Sequence, residues 1–295
     1  SGSWLSSGRP MGAAAIWYAA VQAGTFAVGF WALRQALREH SGRKGSLAFM
    51  PFARDGFSFW PGTLSSVASS QIDKTFVASV LNISELTYYA VPSGVLQRLQ
   101  TLPSAMAHAL MPVLSEAWRA QDRAELTRLY LRAARALFVL SLPALGLLLV
   151  LMPQLLGLWL GPVFSERAAG AARLLVLVQV CVLAYHAPNA LAGGLGGGRL
   201  ASGSAWAQTL LSLALWPVLI PRYGIAGAAA GALVAQAAST AYFLHQAHHR
   251  LLGLPWDRFA RAVVFPCVGP TAVLLGVAWL GRPLAWTWAG FLMVC

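Results

Sequence analysis

LFVLSLPALGLLLVLMPQLLGLWL, Leu137–Leu160, is an unbroken stretch without a charged side chain. As a helix it rises about 1.5 Å per residue and so covers about 36 Å, more than the ~30 Å hydrocarbon core of a bilayer. A helix that packed on a soluble core would keep one polar stripe, and here Ser141 and Gln154 are the sole polar side chains. The stretch reads as a membrane crossing. On either side of it lie further uncharged runs of the same order: Ala13–Leu33, Leu174–Ala192, Leu200–Pro221, Tyr223–Leu244 and Ala262–Leu280, with a last one from Pro283 to Cys295. Gly62–Ile83 and Leu86–Leu114 are also long enough to span but carry charge inside, Asp73 and Lys74 in the first and Arg98 in the second.

Composition agrees with these nine segments. A soluble domain has about a quarter of its residues charged; here the figure is 10%, with 58% hydrophobic residues and a mean hydropathy of +0.62. The expected fold class is all-α, a polytopic transmembrane helical bundle. The chain starts at Ser1 without Met and stops inside an apolar run, so it is expected to be part of a longer protein; no signal-peptide pattern precedes the first run. Cys181, Cys267 and Cys295 sit in apolar segments and read as small hydrophobes, with no disulfide and no metal expected.

A net charge of +12 raises the question of nucleic acid, and the placement of the charge excludes it. Of the 21 basic residues all but Lys44 and Lys74 are Arg, and most sit in short links between apolar runs. The links after segments one, three, five and seven hold 14 Lys and Arg. The opposite face holds five: Arg9, Arg167, Arg173, Arg222 and Arg282. That asymmetry places the first group of links in the cytoplasm. The longest of them runs from Arg34 to Trp60. A second, Glu116–Arg135, reads as an amphipathic helix on the membrane surface, with Leu126, Leu129, Tyr130 and Ala133 toward lipid and its arginines at the head groups. The outer links are short and leave no room for an extramembrane catalytic domain.

A charge at mid-bilayer costs about 2.5–3.5 kcal/mol on insertion scales, so such residues face a partner or a hydrated cavity. Asp73 stands in a stripe with Ser66, Ser69 and Ser70, with Lys74 beside it. On the next segment Gln97, Gln100, Thr101, Ser104 and His108 follow helical spacing, with Arg98 at the edge of the stripe. Two helices joined by the tight Asn82–Glu85 link are antiparallel neighbours, so the stripes are expected to face each other and Arg98 to meet Asp73. A purely structural ion pair and a substrate cavity both fit that arrangement.

Other polar groups have plainer readings. Gln179, His186 and Asn189 share a face near Pro188, where a satisfied interior histidine is favoured over a ligand contact. His245, His248 and His249 have metal-compatible spacing but lack a nearby carboxylate. Gly193–Gly198 is not followed by Lys-Ser or Lys-Thr and reads as a helix-ending turn. Asn82-Ile83-Ser84 matches a glycosylation acceptor flush with the membrane, a chance match.

Three stretches carry a family resemblance. Ser70-Gln71-Ile72-Asp73-Lys74 followed by Tyr88-Tyr89-Ala90, then Leu110-Met111-Pro112-Val113-Leu114-Ser115, and above all Pro221-Arg222-Tyr223-Gly224-Ile225-Ala226-Gly227-Ala228-Ala229, resemble the polysaccharide and O-antigen flippases of the multidrug/oligosaccharidyl-lipid/polysaccharide (MOP) exporter superfamily. The resemblance covers about residues 10–250. It implies two six-helix lobes around a central cavity: residues 1–33 as the last helix of the first lobe, 34–60 as a basic cytoplasmic link, 61–250 as the second lobe and 251–295 as two extra helices. It also implies a non-enzymatic transporter of the bacterial inner membrane. The substrate would be a polyprenyl-diphosphate-linked glycan, moved by alternating access, with polysaccharide-assembly enzymes as possible partners. Lys74 and Arg98 would attract the diphosphate, while Gln97, Gln100, Thr101 and Ser104 would hydrogen-bond sugar. Asp73 would serve ion coupling or an ion pair. No cofactor is expected. A drug or peptidoglycan-precursor transporter on the same fold shares these features. A membrane-embedded glycosyltransferase or polymerase would need a carboxylate cluster or a large outer loop, and the sequence has neither.

Overall fold

The computed structural model describes residues 72–280, together with Gly24, Trp31 and Gln35, which are helical. The chain divides into units 1–51 and 52–295, and everything from residue 72 onward belongs to the second. Ser66, Ser69, Ser70, the 34–60 link and the segment from Pro283 lie outside the described residues.

All regular structure among the described residues is helical. Helix α1 covers 72–80 and turns at Leu81 into α2, Ile83–Leu99. Asn82 caps α2 by accepting the Glu85 backbone N–H at 2.8 Å, which satisfies one of the unpaired amides of a helix start. The run expected as one crossing, Leu86–Leu114, is two helices: α2 ends at Leu99 and α3, Thr101–Arg119, follows directly. Pro103 has no N–H to offer the Leu99 carbonyl, so the ladder breaks there, and the Gln100 N–H bonds instead to Gln97 O at 3.2 Å.

Helix α4, Arg123–Leu160, starts at Asp122, whose side chain accepts the Glu125 N–H at 2.9 Å. Its 38 residues make about ten and a half turns where five or six span a bilayer, and the charged residues among them, Arg123 to Arg135, all lie in its first third, outside the apolar run. Gly161 at φ 91° ends it, and Pro162 opens α5, Pro162–Gly194, at a position where proline's missing N–H costs nothing. The sequence reading made 161–173 an outer link; it is helix, because Glu166, Arg167 and Arg173 are as helix-compatible as they are polar.

Helix α6, Gly198–Gln246, folds back on itself at Gly224 (φ 58°, ψ −138°). A Cβ on Gly227 would sit 2.1 Å from Leu219 O and one on Gly231 2.9 Å from Trp216 Cδ1, so the two arms touch backbone to backbone at Gly227 and the Trp216 indole lies against the backbone at Gly231. The Trp216 indole N–H donates to Ala228 O at 3.2 Å across the same contact. A π-helical turn, Ala247–Leu252, extends the second arm; Gly253 and Pro255 then lead into the short α7, Trp256–Phe259, and through Ala260–Val264 into α8, Phe265–Leu280.

Among the described residues, four stretches are long and apolar enough to cross a membrane: Arg123–Leu160, Pro162–Gly194, Gly198–Leu252 and Trp256–Val277. The third, 55 residues folded back at Gly224, is long enough to cross twice. Lipid is as apolar as leucine, so helices in a bilayer associate through close packing of small residues more than through hydrophobic burial. Helix α5 follows that rule as the central post, packed against α2, α3, α4 and α6. Ala168, Ala171, Ala172, Ala187 and Ala190 are buried along it. Where it ends, Gly193 and Gly194 lie against Met111 of α3, so close that a Cβ on Gly194 would come 2.8 Å from Met111 O. The Gly193–Gly198 stretch is thus a turn and a packing contact.

The start of α4 departs from the sequence reading. Leu126, Tyr130, Ala133 and Ala134 are buried against protein and not laid on lipid. Tyr130 meets His248, its hydroxyl 2.8 Å from Nε2, with Trp256 and Phe259 packed on the imidazole. The apolar face that looked like a membrane anchor is the seat of the 247–259 segment.

Candidate functional site

The α1–α2 hairpin turns about Leu81, and that register decides who meets Asp73. Eight residues before the turn and eight after it lie Asp73 and Tyr89, and the Tyr89 hydroxyl donates to Asp73 Oδ2 at 3.0 Å. The other carboxylate oxygen accepts the Lys74 backbone N–H at 2.7 Å. Both Asp73 and Tyr89 are buried; Lys74 is half-buried. The expected Arg98–Asp73 pair is absent from the ion pairs among the described residues. The reason is depth: Arg98 lies nine residues past Tyr89, about 13 Å farther along the helix.

Arg98 is exposed, as are Gln97, Thr101 and His108, and Ser104 is half-buried. Gln97 Nε2 reaches Ser93 Oγ at a long 3.4 Å, and the Ser104 hydroxyl donates to its own helix at Thr101 O, 2.9 Å away. These side chains line one strip of the α2–α3 surface that no described helix covers. Gln100 departs from the strip. It sits at the break between α2 and α3 and is buried. Its Nε2 donates to Gln179 O at 3.0 Å, and its Oε1 lies 3.1 Å from His186 Nε2. It bolts the break between α2 and α3 to α5, and His186 is the satisfied interior histidine expected from the sequence.

Two further polar groups went unnoticed in the sequence. Gln208 and Gln236, on opposite arms of α6, bond to each other at 2.5 Å; Gln236 also donates to Thr240 Oγ1 at 3.0 Å, and that hydroxyl reaches Cys181 O at 3.4 Å. A single amide in each of two uncharged runs was the available signal. Glu85 pairs with Arg167 at 3.7 Å and Tyr88 stacks near Phe164 with centroids 4.9 Å apart, so the starts of α2 and α5 are tied together. Among the described residues no group of three His, Cys, Asp or Glu is placed to hold a metal. His245 and His249 stack on each other with ring centroids 4.5 Å apart, and His248 is taken up by Tyr130.

These helices, their hairpins and the uncovered polar strip define a multi-pass membrane protein. The fold is similar to that of a multidrug resistance MATE family transporter of the MOP superfamily in an outward-facing conformation, with a TM-score of 0.61 at 14% identity, over 70% of this chain and 47% of that one. The sequence profile of the family described as "Polysaccharide biosynthesis protein" matches residues 12–169, and the chain belongs to that family. It is 22% identical over 170 residues to a putative O-antigen transporter of Shigella flexneri, covering 57% of this chain and 40% of that protein. The chain thus spans less than half the length of the relatives it matches.

Proposed function

We propose that the intact protein is a flippase that carries a lipid-linked oligosaccharide across the bacterial inner membrane, from the cytoplasmic to the periplasmic leaflet, for cell-surface polysaccharide. The observation that carries this reading is the exposed Arg98 beside Gln97, Thr101, Ser104 and His108 on a face of α2–α3 that no described helix covers. A cation and a row of hydroxyl and amide groups are costly against acyl chains and suited to a hydrated route. The polyprenyl tail stays in the bilayer while the diphosphate and sugar cross. Arg98 meets the diphosphate as a bidentate fork, and Lys74 adds a point charge closer to the outer end. Gln97, Thr101 and Ser104 offer hydrogen bonds to sugar; Gln100 holds the helix break that presents them. Asp73, held by Tyr89, is the group suited to ion coupling. A second lobe would close the cavity, and the two would rock about the midplane. Movement of each negative charge out of a cell with a negative interior gains about 2.3 kcal/mol per 100 mV.

The test is export in cells that depend on the protein. A charge-assisted hydrogen bond is worth about 1.5–3 kcal/mol, so Arg98→Ala should weaken capture of the diphosphate about 10- to 100-fold. Arg98→Lys, which keeps the charge and loses the fork, should fall between. Surface glycan should drop while the protein's level in the membrane stays constant. Normal export by Arg98→Ala at normal protein level would refute the assignment.

A further inference from the structure

At the cytoplasmic end, away from the α2–α3 strip, a groove of about 600 Å³ opens between the first turns of α4 and α7. Its walls are Arg123, Ala124, Thr127, Arg128, Leu131 and Arg258. That volume falls within the roughly 300–1,000 Å³ of small-molecule sites, and three of the six side chains are guanidinium groups with no carboxylate among them. We propose that this groove binds the phosphate head group of an anionic glycerophospholipid of the inner leaflet.

The arginines are arranged for it. Arg123 is held in place: one of its terminal nitrogens donates to Leu251 O at 2.9 Å, and its guanidinium stacks over Trp118 at 4.3 Å. A guanidinium has five N–H donors, so the anchor leaves most of them for an anion. Arg128 has Glu125 at 3.4 Å, a solvent-exposed pair that a phosphate can displace because such pairs are weak. Arg258 enters from α7 and makes no ion pair among the described residues, the neighbouring Asp257 being taken by Arg261. Two chain segments far apart in sequence thus supply one anion site.

The occupant follows from depth and neighbours. Trp118 and Trp256, the latter 42% exposed, flank the arginines as residues of a membrane interface do. The floor is apolar, Ala124 and Leu131, and Leu131 lies only about 9 Å along the helix from the charge-free run that begins at Leu137. On α8, which packs against α4, Phe265 and Val268 are exposed on the hydrocarbon side. A ligand with a phosphate above and acyl chains below fits both halves, and the cytoplasmic leaflet is where anionic lipids meet basic pockets between helices. The site does not depend on which glycan the protein moves.

Binding of phosphatidylglycerol to the intact transporter, measured by native mass spectrometry, tests the proposal against phosphatidylcholine with the same chains. Phosphatidylglycerol should occupy one saturable site and bind at least tenfold tighter than phosphatidylcholine. Arg128→Gln with Arg258→Gln should abolish that preference, and Arg222→Gln, in the outer turn, should leave it intact. Equal binding of the two lipids by the wild type overturns the proposal without any variant. So does full displacement of the lipid by millimolar inorganic phosphate, which would make this a soluble-anion site. Retention of the preference by a well-folded Arg258→Gln and Arg128→Gln protein also overturns it.

Discussion

Gln97 and Gln100 are the same residue type three positions apart, and the structure gives them opposite surroundings, one exposed and one buried. Gln100→Ala removes two hydrogen bonds from a buried site, to Gln179 O and His186 Nε2, and leaves the imidazole without its partner. At about 1 kcal/mol for each neutral bond, with an additional cost for a stranded polar group, the loss is about 2–3 kcal/mol. For a domain of this size each kcal/mol lowers the midpoint by about 2–4 °C, so purified Gln100→Ala should melt about 4–12 °C below wild type by tryptophan fluorescence. Gln97→Ala removes an exposed amide with a single long contact, and its stability should stay within about 0.5 kcal/mol of wild type. Export should fall in both, in Gln97→Ala without destabilisation. If Gln100→Ala melted with wild type and still lost export, Gln100 would face the substrate and the bolt at the helix break would be wrong.

Gly227→Ala places a methyl where Leu219 O stands 2.1 Å away, so the arms of α6 must part by more than 1 Å and lose the Trp216–Ala228 bond. Overpacking of this kind costs about 1–3 kcal/mol before that bond is counted, and the variant should show reduced yield and a lower melting point. Tyr130→Phe leaves His248 Nε2 without its hydroxyl partner in a fully buried site, a loss of about 1–3 kcal/mol. Proteolysis should then cut first within residues 247–259, and unchanged protection there would contradict the role given to Tyr130.

The crossings between Leu137 and Leu280 were legible in the sequence because a bilayer demands long charge-free helices, and Leu137–Leu160 meets that demand on its face. The Gly224 turn was legible too, since Pro221-Arg222-Tyr223-Gly224 interrupts the apolar run with residues suited to a reversal. Helix ends were less so. Glu166, Arg167 and Arg173 looked like a link because polarity was taken for irregularity, whereas Gly161-Pro162 alone makes the corner. The partner of Asp73 depended on register: a turn at Leu81 brings Tyr89 alongside, and spacing within each helix carries no information on that alignment. Gln100 was misassigned because the stripe was drawn through a helix taken as straight, while Pro103 breaks it one turn from the residue in question. The start of α4 shows the same limit from another side. An apolar face at a membrane surface looks identical in sequence whether it meets lipid or, as Tyr130 does, a histidine from a segment more than a hundred residues away.

The most direct test asks whether the strip on α2–α3 touches water. In a protein stripped of its native cysteines, Thr101→Cys should react with a membrane-impermeant maleimide before denaturation, and substrate analogues that carry a diphosphate should slow the reaction. A cysteine at Thr101 that stays inert in the membrane and reacts only after denaturation would place the strip against lipid or inside a dry contact, and would contradict the transport route.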